Sequence, residues 1–332
     1  MRKAIRGSLF ALAGIVLIGG GLFFSLLYTP TPTMPKLTGT FASRKLTVGG
    51  LKRTYLVYVP AYLPKSAPLV IALHGSDGSA ATLRRETGYA FERLADKQHF
   101  ALVYPEAFEG NWNACNRVGD YAANRRNIDD VGFIETIASQ VVAKYGLASG
   151  NVFAAGVSRG GQMAYRLAIE APSRFAAVAA VAASLPAPQN FKCRLASSAP
   201  SPVLVMNGTD DPLNPFAGGE VTLFGMYKRG VVISSRATGQ YFANLAGVVK
   251  PPRVIHEAEV DRYVWENMGV RAVELLAVRG GGHVLPQPYV RAPRLLGLTI
   301  QKVDGPGEIW KFYETHKVQE LAAHVKKAVP AV

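Results

Sequence analysis

Cysteine is nearly missing from this 332-residue chain, which has two, Cys115 and Cys193. So few exclude a disulfide-dense scaffold and cannot build a cysteine zinc site. Internal repeats are lacking too, which excludes solenoid and propeller arrays. Acidic residues are scarce beside basic ones, 23 against 37, for a net charge of +14. That balance suits a nucleic-acid binder, but the continuous basic stripe such a protein needs is absent. Lys and Arg are scattered, with short pairs such as Arg84-Arg85, Arg125-Arg126 and Lys326-Lys327. A solvated surface near anionic lipid headgroups accounts for them, and no nucleic-acid partner is expected.

Only one uncharged apolar run is long enough to cross a bilayer, residues 7–28, directly after Met1-Arg-Lys-Ala-Ile-Arg. About 20 residues of helix span the hydrocarbon core, and the preceding positive cluster holds the N-terminus inside, so the rest of the chain is expected to be exported. Leu26-Leu-Tyr-Thr-Pro-Thr-Pro-Thr offers no small-x-small cleavage site. An uncleaved membrane anchor over residues 1–28 is therefore expected, with a cleaved signal peptide as the alternative. Residues 29–43, rich in Thr and Pro, read as an extended spacer. Residues 44–332 then form one large domain, with no second boundary.

Within that domain apolar runs at 55–60, 68–74, 101–105, 151–155, 176–182, 202–207 and 272–278 read as strands. Helical patterns separate them at Ala81–Lys97, Val131–Tyr145, Gly160–Ala171 and Pro306–Lys326. The alternation predicts an α/β fold, a mostly parallel twisted sheet of about eight strands with helices on both faces. Gly49-Gly50 predicts an N-terminal antiparallel hairpin. The segment Phe216–Asp261 exceeds a minimal connection and should supply a lid or pocket wall, with Tyr227, Tyr241 and Phe242 as candidate lining.

Chemistry concentrates at three strand ends. Ser158 lies in Gly156-Val-Ser-Arg-Gly-Gly, after an apolar run and before a helical one. A serine hydroxyl is a weak nucleophile, and this strand-to-helix turn presents it to a base and to backbone N–H groups. The run Pro202–Thr209 ends in Asp210-Asp211-Pro212, and the run Ala272–Val278 ends in Arg279-Gly-Gly-Gly-His283. Nucleophile, acid and base in this chain order at strand ends predict Ser158, Asp211 and His283 as a catalytic triad. His99, His256, His316 and His324 lack a glycine-punctuated strand before them and read as packing or surface residues. Asp129 and Asp130 precede the serine and start a helical pattern, where carboxylates cap. An oxyanion hole should come from the N–H groups of Arg159 and of Ser76, the latter after the strand Leu69–Leu73. His74 should brace that loop.

The chain resembles the polyhydroxybutyrate depolymerase and feruloyl esterase-like family of α/β-hydrolases over residues 45–320. The matching stretches are Leu73-His-Gly-Ser, Trp112-Asn, Asp129-Asp-Val-Gly-Phe, the Ser158 elbow, Phe175-Ala-Ala-Val-Ala, Gly208-Thr-Asp-Asp-Pro, Gly281-Gly-His and Ile309-Trp-Lys-Phe-Tyr. The resemblance implies Ser158 as nucleophile, Asp211 rather than Asp210 as acid, His283 as base, and Trp112 in the substrate pocket. Two positions depart from the family pattern beside the site: Arg159 stands where Asn is common, and Leu285 where an aromatic follows the histidine. Cys115 and Cys193 can form a bridge in an oxidising compartment, two unpaired thiols being the alternative. The expected function is ester hydrolysis through an acyl-enzyme, without metal or organic cofactor, on short-chain, aryl or oligomeric hydroxyalkanoate esters. A serine peptidase or amidase of this fold and a non-catalytic binding domain are the alternatives. Arg159 is a candidate to attract a substrate carboxylate, since a cation at a helix N-terminus opposes the dipole.

Overall fold

The computed structural model describes residues 21, 26–223, 225–267 and 269–318. Most of the expected membrane stretch, residues 7–28, lies outside the described residues, as do His324 and the end of the last expected helix. Among the described residues no helix is long and apolar enough to cross a membrane.

The strands are β1 (Thr40–Val48), β2 (Leu51–Val59), β3 (Leu69–Leu73), β4 (Ala101–Pro105), β5 (Val152–Val157), β6 (Ala177–Val181), β7 (Val203–Gly208), β8 (Gly219–Leu223), β9 (Tyr227–Val232), β10 (Arg253–His256), β11 (Val260–Asn267) and β12 (Val270–Val278). The helices are α1 (Ala80–Glu86), α2 (Ala90–Gln98), α3 (Ala122–Arg125), α4 (Asp130–Tyr145), α5 (Arg159–Glu170), α6 (Ser235–Leu245) and α7 (Gly305–Glu314).

Ten strands form the main sheet in the order β1-β2-β4-β3-β5-β6-β7-β12-β11-β10. The run β4-β3-β5-β6-β7-β12 is parallel throughout. Apart from Asn207 in β7 and Arg271 and Glu274 in β12, these strands are apolar, as strands covered by helices on both faces must be. The pleat divides β3 between two cores: Leu69, Ile71 and Leu73 pack with α4 and α5, while Val70 and Ala72 pack with α2 and α7. The hairpin β1–β2 turns at Gly49-Gly50, both at positive φ, with Val48 opposite Leu51.

The sheet exceeds the expected eight strands because β10 and β11 add an antiparallel edge. Their sequence is too polar to read as buried strand: β10 is exposed at three of its four positions, and β11 ends in exposed Glu266 and Asn267. The helix expected over Ala81–Lys97 is two helices. Gly88 and Tyr89 adopt left-handed φ of 61° and 59°, which an α-helix cannot contain. A Cβ at Gly88 would lie 2.6 Å from that of Tyr289, so close packing requires glycine at the break.

Candidate active site

The turn after β5 carries Ser158 at φ 55°, ψ −118°, an unusual backbone for a non-glycine residue. Strand β6 and the first turn of α5 hold it there: its N–H donates to the Val181 carbonyl at 2.8 Å, and its carbonyl accepts from Gln162 N at 3.0 Å. The elbow closes only because Cβ atoms are absent around it. A Cβ at Gly156 would overlap the Gly160 carbonyl, and one at Gly160 would sit 2.6 Å from the His74 carbonyl oxygen.

Strands β7 and β12 lie side by side and deliver the other two residues to the same sheet edge. His283 Nε2 is 2.8 Å from Ser158 Oγ, and His283 Nδ1 is 2.8 Å from Asp211 Oδ2. The second Asp211 oxygen accepts from the backbone N–H groups of Leu213 and Asn214, each at 2.8 Å. Asp211 is buried, so these three partners fix its carboxylate in one orientation. Asp210 is exposed and accepts from Thr209 Oγ1 instead.

His74 is buried, with Nδ1 at 2.8 Å from the Gly75 carbonyl and Nε2 accepting from Ala107 N at 3.1 Å. Burial lowers its pKa and keeps the ring neutral, matching the two bonds it makes. It ties the loop after β3 to the end of β4. Asp129 caps α4 through Gly132 N at 2.8 Å, whereas Asp130 is buried and pairs with Arg53 at 2.7 Å. His99 and His316 belong to helix ends, and His256 pairs with Asp261.

Trp112 does not line the pocket as expected. Its side chain is wholly buried, and its Nε1 donates to the His74 carbonyl at 2.8 Å. Its own carbonyl accepts twice from the Arg159 guanidinium, at 2.9 and 2.6 Å. The remaining Arg159 donors go to Asn116 Oδ1, to Gln162 Oε1 at 3.3 Å and to Asn124 Oδ1 at 2.8 Å. Arg159 thus has all five donors spent on neutral acceptors while 3% exposed, so its side chain has none left for a substrate carboxylate. Burial brings its pKa down to about 10, Arg229 pushing the same way. Its N–H, at the first helical position, has no intrahelical acceptor.

A cavity of about 400 Å³ opens over Ser158 and His283, lined also by Ser76, Tyr121, Arg159 and Arg229. The β8–β9 hairpin forms one wall through Val221, Thr222 and Leu223. That wall comes from the segment expected to supply one, but through different residues: Phe242 and Tyr241 pack in the core, and Tyr227 is exposed. Leu285 is mostly buried and lines a second cavity of about 300 Å³ on His283, which Thr29–Pro32 also border. Tyr121 and Arg229 were not singled out from sequence. They sit in polar loop and hairpin segments whose position depends on long-range pairing. Cys115 and Cys193 are joined as a disulfide with Cα atoms 4.8 Å apart.

Residues 53–188 match the family described as esterase PHB depolymerase. A candidate esterase named NocK, from Nocardia uniformis subsp. tsuyamanensis, is 32% identical over 298 residues, covering 83% of each chain. Feruloyl esterase B of Neurospora crassa is 31% identical over 125 residues, covering 37% of this chain and 41% of that protein. Among solved structures, the acetyl xylan esterase from Aspergillus awamori superposes with a TM-score of 0.56 at 15% identity, covering 82% of this chain and 99% of that one. That likeness shows the α/β-hydrolase fold, in keeping with the parallel run β4–β12 and the serine turn at its centre. The near full-length relative and the family match over the elbow carry the rest: the chain belongs to the esterase PHB depolymerase family and is a carboxylic ester hydrolase.

Proposed function

We propose that the chain is an exported serine esterase that works through an acyl-enzyme on Ser158. The reading is carried by the unbroken relay Asp211–His283–Ser158, each link 2.8 Å, ending on a cavity wall. Asp211 holds the imidazole with Nδ1–H toward itself, leaving Nε2 to take the serine proton. The Ser158 oxygen then attacks the ester carbonyl, and the N–H groups of Ser76 and Arg159 receive the charge that develops on its oxygen. The imidazolium returns the proton to the leaving alcohol. Water, activated by the same histidine, releases the acid. Soluble short-chain, aryl or oligomeric hydroxyalkanoate esters suit a cavity of about 400 Å³ better than polymer surfaces.

Activity-based labelling tests this reading. A fluorophosphonate probe should form one adduct, on Ser158, and 4-nitrophenyl butyrate should be turned over faster than peptide amides. An unlabelled folded protein would mean a binding domain, and faster peptide turnover a peptidase.

The domain expected over residues 44–332 starts earlier, since β1 of its sheet begins at Thr40, which leaves residues 29–39 as the spacer of this reading and residues 1–28 as a membrane anchor. The spacer meets the domain at Thr38, whose N–H donates to Asp96 at 2.8 Å. The full chain should stay with membranes through alkaline carbonate washing. A mature N-terminus anywhere between Ser25 and Lys36 would replace the anchor by a signal peptide.

A further inference from the structure

Arg229 is the cavity-lining cation whose guanidinium has no hydrogen-bonded or carboxylate partner among the described residues. Its contact is the Tyr121 ring, with Cζ 4.4 Å from the centroid, and Arg159 Cζ lies 4.2 Å from the same centroid. Two guanidiniums thus share one ring, one of them buried with every donor taken and the other open to the cavity over Ser158. Like charges in a partly dry site repel, and an anion bound beside Arg229 would relieve both.

The chain holds Arg229 in place. Next to it, Gly230 at φ 89° brings the hairpin so close to Asn190 that a Cβ would overlap that amide. Asn190 Nδ2 donates to the Val231 carbonyl at 3.2 Å, and Val118 N donates to Asn190 Oδ1 at 2.8 Å. Ala187 N adds a bond to the Val231 carbonyl at 2.9 Å. The hairpin is thereby tied to the loop that carries Tyr121. Two carboxylates also line the cavity, Asp77 and Glu86, but among the described residues neither pairs with Arg229 or Arg159. Asp77 accepts from Asn111 Nδ2 at 2.8 Å.

We infer that Arg229 is a specificity residue that binds a free carboxylate on the ester substrate, so that carboxylate-bearing esters, such as oligomeric hydroxyacid esters, are favoured over neutral ones. The inference rests on the esterase reading above. A planar guanidinium offers a carboxylate two parallel N–H bonds, and the Tyr121 face keeps that fork oriented. The positive charge of Arg159 behind the ring adds attraction without a direct bond.

The test compares 4-nitrophenyl hydrogen adipate with 4-nitrophenyl hexanoate, which differ by the terminal carboxylate. The ratio of kcat/KM for adipate over hexanoate should fall about tenfold in Arg229→Gln, through KM, and recover in part in Arg229→Lys. An unchanged ratio in Arg229→Gln, with hexanoate still hydrolysed, overturns the arginine role and leaves the esterase reading standing. A ratio equally low in the Lys and Gln variants overturns the contribution of charge and with it the predicted recovery. Failure of the wild-type chain to hydrolyse either ester removes both.

Discussion

Replacing Ser158 by alanine should cut turnover of 4-nitrophenyl butyrate by about 10⁴-fold or more, with the melting temperature within about 2 °C of the parent. The loss is large because the relay acts as a unit: without the Oγ, His283 has no nucleophile to deprotonate and Asp211 no imidazolium to stabilise. The fold should survive, because the strained backbone at residue 158 is held by Val181 and Gln162 through main-chain bonds that alanine keeps. His283→Ala should lose activity comparably. Asp211→Ala should lose most of it, since the imidazole then has no carboxylate to orient it. Asp210→Ala should be mild, because the Asp210 side chain is exposed and accepts from Thr209 Oγ1, while its backbone bond to Gly281 is kept by alanine. Purified variants assayed by nitrophenol release and by thermal melting give the answer. A Ser158→Ala protein that keeps even a tenth of the activity would move the nucleophile elsewhere.

The central sheet and the three residues of the proposed relay were legible because each follows from local rules. Buried parallel strands are apolar on both faces, and glycines mark where β5 and β12 stop. The α/β-hydrolase order of serine, acid and histidine then needs only strand ends to be found. Legibility fails where the deciding contact is distant. Trp112 reads as a pocket aromatic until its indole is seen bonded to the His74 carbonyl, 38 positions away. Arg159 reads as an exposed or substrate-facing cation, yet its acceptors Trp112, Asn116 and Asn124 all come from one loop about 40 residues upstream.

The same cause hides Arg229. Nothing in Tyr227-Lys-Arg-Gly marks one cation among 37 as special. Only the pairing of the hairpin with Asn190 and Ala187 brings it to Tyr121. The residues proposed to catalyse follow strand ends, whose positions the sheet fixes. The residue proposed to select stands on a hairpin, whose position depends on what that hairpin meets.

Removing the bridge between Cys115, which is buried in the core, and Cys193, which packs against it, should cost the protein much of its stability. The two cysteines are 78 positions apart, and in the chain-entropy account closing such a ring stabilises by up to about 4 kcal/mol. In a domain of this size that corresponds to a melting temperature lower by roughly 8–16 °C. The bridge also closes one end of a zipper between two loops. Lys192 N donates to the Cys115 carbonyl at 2.8 Å, and Arg117 N donates to the Asn190 carbonyl at 2.7 Å. Asn116, which Arg159 uses as an acceptor, and Tyr121, which lines the cavity, belong to the same loop. A Cys115→Ser, Cys193→Ser double variant should therefore raise KM more than it lowers kcat, since the relay residues stand on β5, β7 and β12 and not on the zipped loops. The bridge should form in protein made by export and be open in protein made in a reducing cytosol, and mass mapping without reduction distinguishes the two. Both thiols alkylated in exported protein, or a double variant that melts with the parent, would refute the stabilising role. A kcat that falls with KM unchanged would show instead that the loop acts through the Arg159 N–H on the reacting carbonyl.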